Sequence, residues 1–242
     1  MFDTVFSLAT DSSAWIALLA LLAMEIVLGI DNLIFVAILT NKVEEPRRAL
    51  ARRVGMILAL VLRLLLLGAV AIIVRLTQPV FAVHGHGFSW RDMIMVGGGL
   101  FLVWKATQEI RQHVVPQEAD DHTPRGTLSF GTAIVQIVAL DLVFSIDSIV
   151  TAVGMTDQIP IMIIAVIIAI SVMMLAAGPI AKFIEGHPTI VMLALSFLLM
   201  IGMVLIGEGF GAHIEKSYIY AAMAFSSLVE GLNLFAQRKK KR

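Results

Sequence analysis

The sequence contains no cysteine. Disulfides, thiolate zinc sites, iron–sulfur clusters and cysteine nucleophiles are therefore excluded, and any metal the chain handles is held by oxygen or imidazole. Charge is also scarce: 15% of the 242 residues are Asp, Glu, Lys or Arg, against about 25% in a soluble domain. Eighteen cationic residues balance eighteen acidic ones, so there is no net basic field to hold nucleic acid and no net acidic tail. A nucleotide-binding glycine loop is missing as well, which argues against ATP-driven work by this chain alone. What is plentiful is apolar: 59% of residues are hydrophobic and the mean hydropathy is +0.91. These values define a membrane protein.

A spanning helix needs about 20 mostly apolar residues. Windows of that size give seven candidates, at about 13–39, 54–76, 92–107, 130–154, 160–180, 189–207 and 218–235. The third is the shortest, and its run Gly97-Gly98-Gly99 predicts close helix packing. Most of the few prolines, among them Pro46, Pro79, Pro116, Pro124, Pro160 and Pro188, fall in the polar connectors, where a helix cannot continue through them. With the N-terminus outside, the cytoplasmic segments collect Lys42, Arg47, Arg48, Arg52, Arg53, Lys105, Arg111, Arg125, Lys182 and the run from Arg238 to Arg242. Only Arg75, Arg91 and Lys216 fall outside, and Arg63 lies within a span. Seven spans, N-out and C-in, thus satisfy the positive-inside bias. The first residues lack the basic n-region of a secretory signal peptide, so the first span is expected to be retained.

The first and fourth spans share a motif. Glu25-Ile-Val-Leu-Gly-Ile-Asp31-Asn32 matches Asp141-Leu-Val-Phe-Ser-Ile-Asp147-Ser148 at an offset of 116 positions. The copies lie three spans apart, and an odd offset reverses direction. The expected architecture is therefore all-α and polytopic, a single transmembrane domain over 1–242. It consists of two inverted three-helix repeats, about 13–107 and 130–207, and an extra helix at about 218–235. Inverted repeats with a midplane site are a recurring transporter plan. Carboxylates are costly there: each Asp at a helix centre opposes insertion by about 2.5–3.5 kcal/mol, and four by roughly 10 kcal/mol or more. They should face an interior cavity. The structural alternative, in which they cap helices or pair with Arg63, leaves one arginine to neutralise four acids.

Six residues along an ideal helix turn a side chain by about 120° net and advance it about 9 Å. Glu25 and Asp31 therefore do not share a face, whereas Asn32 shares that of Glu25 and Ser148 that of Asp141. Unwinding at Gly29 and Ser145 would let both acids of each copy converge and release carbonyls, so a helix break is expected at each. Inversion should bring Glu25 and Asp141 together at the midplane, with Asp31 and Asp147 guarding opposite approaches. Such hard oxygen donors suit Mg²⁺, Ca²⁺ or Mn²⁺. Four acids in a low-dielectric cavity cannot all stay ionised when empty, which makes proton exchange a natural partner reaction.

Other polar residues carry weaker signals. Arg63 has two readings, compensation of an empty acid site or a plain structural pair. Glu230, with Asn233 close behind, either lines an inner vestibule or packs against a polar helix neighbour. Glu208 and Glu185 sit near span ends as interfacial residues. His84-Gly-His86 reads as a solvated loop, the thirteen methionines as apolar filler, and the terminal Arg-Lys-Lys-Lys-Arg run as an anchor on anionic lipid.

The paired motifs EIVLGIDN and DLVFSIDS, with GGLFLVWKA in the third span, resemble the TerC family of integral membrane proteins, grouped with the LysE-type exporters. The resemblance covers essentially the whole chain and is closest to stand-alone members without appended cytoplasmic regulatory domains. It implies an inner-membrane exporter of divalent metal, manganese above all, and a family name tied to tellurium resistance. By motif match the family's acidic positions fall on Glu25, Asp31, Asp141 and Asp147. The expected metal-contacting set is Glu25, Asp31, Asn32, Asp141, Asp147 and Ser148, with Arg63 and Glu230 along the pathway. The metal is cargo, no prosthetic group is expected, and the lipid bilayer is the partner. Alternatives are an exporter of a cationic metabolite or amino acid, and a non-transporting component of a membrane-stress complex. An intramembrane aspartyl protease would need Gly-x-Gly-Asp, whereas these aspartates follow Gly-Ile and Ser-Ile, so no enzymatic activity is expected.

Overall fold

The computed structural model describes residues 12–83, 86–114, 128–156, 158–212 and 214–240. They form eight α-helices and one short β-hairpin. Helix α1 (Ser12–Asn41) has 30 residues, about 45 Å at 1.5 Å per residue and longer than a hydrocarbon core of about 30 Å. Helix α2 (Glu45–Gly68) starts on Pro46, whose fixed φ suits a first turn. It stops at the poor helix former Gly68, and Ala69 turns the chain into the six-residue α3 (Val70–Arg75). The expected span at 54–76 is therefore two helices joined at a bend.

Strands β1 (Pro79–Val83) and β2 (His86–Ser89) pair antiparallel where the sequence reading had a plain loop. Stacking of Phe81 on Phe88, with ring centroids 5.4 Å apart, holds the hairpin, and Phe88 meets Phe210 edge-on at 5.9 Å. Helix α4 (Trp90–Val114) then opens with a capping box. Ser89 Oγ accepts from the Asp92 amide at 3.2 Å, and Asp92 Oδ2 accepts from the Ser89 amide at 2.8 Å. This cap and the buried charges near its far end let α4 run beyond the expected 92–107. Helices α5 (Phe130–Met155), α6 (Ile159–Glu185), α7 (Pro188–Gly209) and α8 (Lys216–Lys240) complete the chain.

Five of these helices, α1, α5, α6, α7 and α8, are long and apolar enough to cross a membrane. Helices α2 and α4, the carriers of two further expected spans, bear several Arg, Lys, Asp and Glu residues and fall outside that criterion by composition. The burial pattern is inverted relative to a soluble protein. Leu175 is 80% exposed and Phe235 73%, whereas Glu25, Asp141 and Glu109 are 3%, 1% and 0% exposed. Apolar side chains outside and charges inside suit a molecule whose solvent is lipid. The chain is an all-α polytopic membrane protein.

Packing proceeds in pairs: α4 against α7, α1 against α6, and α2 against α5, with α1 and α5 also in contact. Exchange of α1 with α5, α2 with α6 and α4 with α7 maps each of these pairings onto itself or onto another of them. Helices α4 and α7 approach closely through glycine. A Cβ on Gly99 would stand 2.6 Å from the Gly202 carbonyl oxygen, and one on Gly202 would stand 2.9 Å from that of Gly99. This is the close packing predicted from the triple glycine.

The two expected helix breaks do not occur. Helix α1 runs through Gly29 and α5 through Ser145 without interruption. Smallness serves packing and bonding there instead of unwinding. A Cβ on Gly29 would lie 2.3 Å from Met173 Sδ of α6, and the Ser145 hydroxyl is engaged in the charged cluster described next.

Candidate functional site

Helices α1, α2 and α5 bring Glu25, Arg63 and Asp141 to one point in the interior. The Arg63 guanidinium donates from Nη1 to Glu25 Oε2, from Nη2 to Asp141 Oδ1 at 2.9 Å, and from Nε to Ser145 Oγ at 3.0 Å. Ser145 Oγ donates in turn to Asp141 Oδ2 at 3.0 Å. Asn32 Nδ2 supplies a further bond to Asp141 Oδ1 at 2.9 Å. All five residues are buried. Charge-assisted bonds from a planar guanidinium, one to each carboxylate, are stronger than neutral ones and fix the three side chains relative to one another. The formal charge of the cluster is −1, two carboxylates against one guanidinium.

Among the described residues, the fully buried side-chain atom of this cluster that has no hydrogen-bond partner is Asn32 Oδ1. The Asn32 amide is oriented by its donor side facing Asp141, which leaves the oxygen side free. An orphaned buried oxygen on a side chain bonded to Asp141 is a spare hard donor.

The other sequence-predicted residues fall elsewhere. Asp147, about 9 Å further along α5 than Asp141, pairs with Arg91 Nη2 at 2.7 Å. Both border a cavity of about 670 Å³ that is also lined by Asp92, Thr151, Glu208 and Glu215. Ser148 is buried and donates to the Ser145 carbonyl at 3.3 Å, so its hydroxyl is turned back on its own helix. The Asp31 side chain lies outside the described residues, as does His84. Glu230 accepts from Asn233 one turn on at 3.3 Å, on α8, which packs chiefly against α7. Glu185, expected at the interface, pairs with Arg48 at 2.9 Å. Among the described residues no three His, Cys, Asp or Glu side chains stand together as a metal set; the cluster brings two carboxylates, Glu25 and Asp141, onto the guanidinium of Arg63.

A second buried ionic group was not anticipated. Glu109 of α4 receives Lys42, and Lys105 Nζ stands 3.0 Å from its other oxygen. It marks the end of α4 remote from Arg91, about 27 Å away along the helix at 1.5 Å per residue. The signal was present in the periodicity. Met95, Gly98, Leu102, Lys105, Ala106 and Glu109 follow one 3.6-residue stripe, so the face that buries the apolar members buries the charges too.

Fold and site together define a class: a polytopic helical membrane protein with a cluster of charged-type side chains, Glu25, Arg63 and Asp141, buried between its helices. Residues 10–242 match the family described as integral membrane protein TerC family. The chain belongs to the TerC family. It is similar to the UPF0053 inner membrane protein YgdQ of Escherichia coli K12, with 48% identity over 235 residues covering 97% of this chain and 98% of the relative. It is also similar to the UPF0053 inner membrane protein YoaE and the UPF0053 protein YegH of the same strain. Identities are 49% and 47%, over 94% and 96% of this chain. The chain spans 44% of the length of each of these two. No solved structure matches.

Proposed function

We propose that this chain is a secondary transporter that exports a hard divalent cation, Mn²⁺ in the first place, across the bacterial inner membrane. One observation carries the reading. Glu25 and Asp141, equivalent positions of the duplicated motif, converge on a buried seat that already holds a positive charge, and Asn32, bonded to Asp141, carries an oxygen with no partner among the described residues. Two carboxylates and a neutral oxygen are the donor types that hard dications select. Carboxylates at this depth are costly unless they work.

The exchange symmetry of the helix pairings supports two repeats, α1–α2–α4 and α5–α6–α7, with α8 as an addition. In this reading the Lys42–Glu109 end faces the cytoplasm, as the positive-inside bias requires, and the cavity by Asp147 is the outer vestibule. Asp31 guards the inner approach. The names of the YoaE and YgdQ relatives support an inner-membrane location.

Purified protein in liposomes should move Mn²⁺ down its gradient, and Asp31→Asn or Asp147→Asn should stop it. Normal flux in both variants would refute the site assignment. A second reading has its own observation, since the occupant of the seat is a guanidinium. A cationic metabolite such as an amino acid with a basic side chain would fit it. Inhibition of Mn²⁺ binding by millimolar lysine or arginine would favour that cargo.

A further inference from the structure

Arg63 is the only cationic side chain among the described residues that bonds to the Glu25–Asp141 pair. It enters from α2, whereas the carboxylates belong to α1 and α5. A structural ion pair needs one carboxylate; this guanidinium bridges two, and takes Ser145 as well. It fills the space that a dication bound to both acids would require. A guanidinium and a hard dication cannot share that seat. Both carry charge that the two carboxylates complement, and together they would leave a buried surplus of +1.

Resting on the transport reading above, we infer that Arg63 is a tethered return cation. It leaves the seat when the dication enters and swings back when the dication leaves. The charges are suited to this alternation. With the dication seated the two carboxylates are neutralised to 0, with Arg63 seated the cluster carries −1, and with neither it carries −2. Only the last state holds two uncompensated buried anions, and an uncompensated buried charge is strongly destabilising. The long arginine stem is flexible enough to withdraw along α2 without moving the helix. Ser145 is the positioning partner that receives Nε on each return, which gives the serine of the second motif copy a role its expected helix break does not supply.

The consequence distinguishes two modes of transport. Net flux requires the unloaded carrier to reorient, and Arg63 makes that possible without a proton on either acid. Exchange of Mn²⁺ for Mn²⁺ needs only the loaded carrier. The full chain in liposomes, with the membrane potential clamped, is assayed with radioactive Mn²⁺ against an empty lumen and against a lumen containing Mn²⁺. In Arg63→Gln the ratio of net flux to exchange should fall at least about tenfold relative to the natural protein, the change expected for each 1.4 kcal/mol added to the return step. Added guanidinium ion at millimolar concentration should restore part of the ratio. Arg63→Lys, which keeps the charge in a smaller head, should lie between the two.

Mn²⁺ binding to Arg63→Gln in detergent should tighten, because its competitor is gone. An unchanged ratio, or weaker Mn²⁺ binding by folded Arg63→Gln, overturns the inference. If Arg63→Gln does not fold, the natural protein decides. Collapse of the pH gradient should leave its net Mn²⁺ flux unaltered, and a strict requirement for protons on the opposite side overturns the inference while sparing the transport reading. No Mn²⁺ flux or binding by the natural protein overturns both.

Discussion

Asp141→Asn isolates the charge of the seat from its shape. Asparagine is nearly isosteric with aspartate. Its oxygen can keep the bonds from Arg63 Nη2 and Asn32 Nδ2, both on Oδ1, and its amide nitrogen can donate to Ser145 Oγ once that hydroxyl rotates. At 2.9 Å and an effective dielectric of about 20, the lost attraction to Arg63 is about 6 kcal/mol. Asparagine also escapes the several kcal/mol of desolvation that a buried carboxylate pays. The two nearly cancel, so the fold should lose no more than about 2 kcal/mol. Dication binding has no such compensation, because attraction to a double charge doubles the first quantity while the saving stays the same.

Thermal unfolding of purified protein in detergent, with and without Mn²⁺, separates the two effects. At a ligand concentration 100 times Kd the natural protein gains about 2.7 kcal/mol. That corresponds to roughly 5–11 °C for a chain of this size, on the scaling known for soluble domains. Asp141→Asn should fold and show no rise at the same concentration. A rise equal to that of the natural protein would refute the assignment of Asp141 to the seat, and with it the electrostatic argument.

Four further outcomes follow from the packing. Gly99→Leu should lower the unfolding temperature by separating α4 from α7, at a cost of more than about 2 kcal/mol from overpacking. Gly97→Ala, where a Cβ meets nothing within 4 Å, should be neutral or stabilising by up to about 1 kcal/mol. Glu109→Gln should destabilise by about 3–5 kcal/mol, because Lys42 and Lys105 lose their shared carboxylate, and Lys105→Gln added to it should recover part of the loss in the same unfolding assay. Glu230→Gln should leave Mn²⁺ affinity unchanged, since its bond is to Asn233 on α8; a tenfold fall in affinity measured by equilibrium dialysis would place Glu230 on the pathway after all.

The helical class was legible because lipid imposes it. Long apolar runs must satisfy their backbone internally, and proline-marked connectors set most boundaries within a few residues. The bend at Ala69 was not legible because it leaves the hydropathy uninterrupted, and the hairpin at Pro79–Ser89 was not because it falls in the polar gap between two expected spans, where a short strand pair and a loop read alike. Helix breaks at Gly29 and Ser145 were expected because unwinding at a small residue would let both acids of a motif copy converge. Propensity yields to packing where a neighbour needs the space, and Met173 needs that of Gly29. The Lys105–Glu109 pair was hidden by its position near a span end, where charges are ordinarily solvated.

The sequence by itself determined that this is a membrane protein with a duplicated acidic motif, because composition and the spacing of a repeat are properties of the chain alone. It also named Glu25 and Asp141 as candidates, because buried carboxylates are too costly to be incidental. Only the tertiary structure decided that Arg63, 38 residues from Glu25 and 78 from Asp141, lies between them, that Asp147 is paired with Arg91, and that an oxygen of Asn32 is left unpaired. Those facts depend on which helices pack together, and side-chain pairing across helices leaves no periodicity along any one of them.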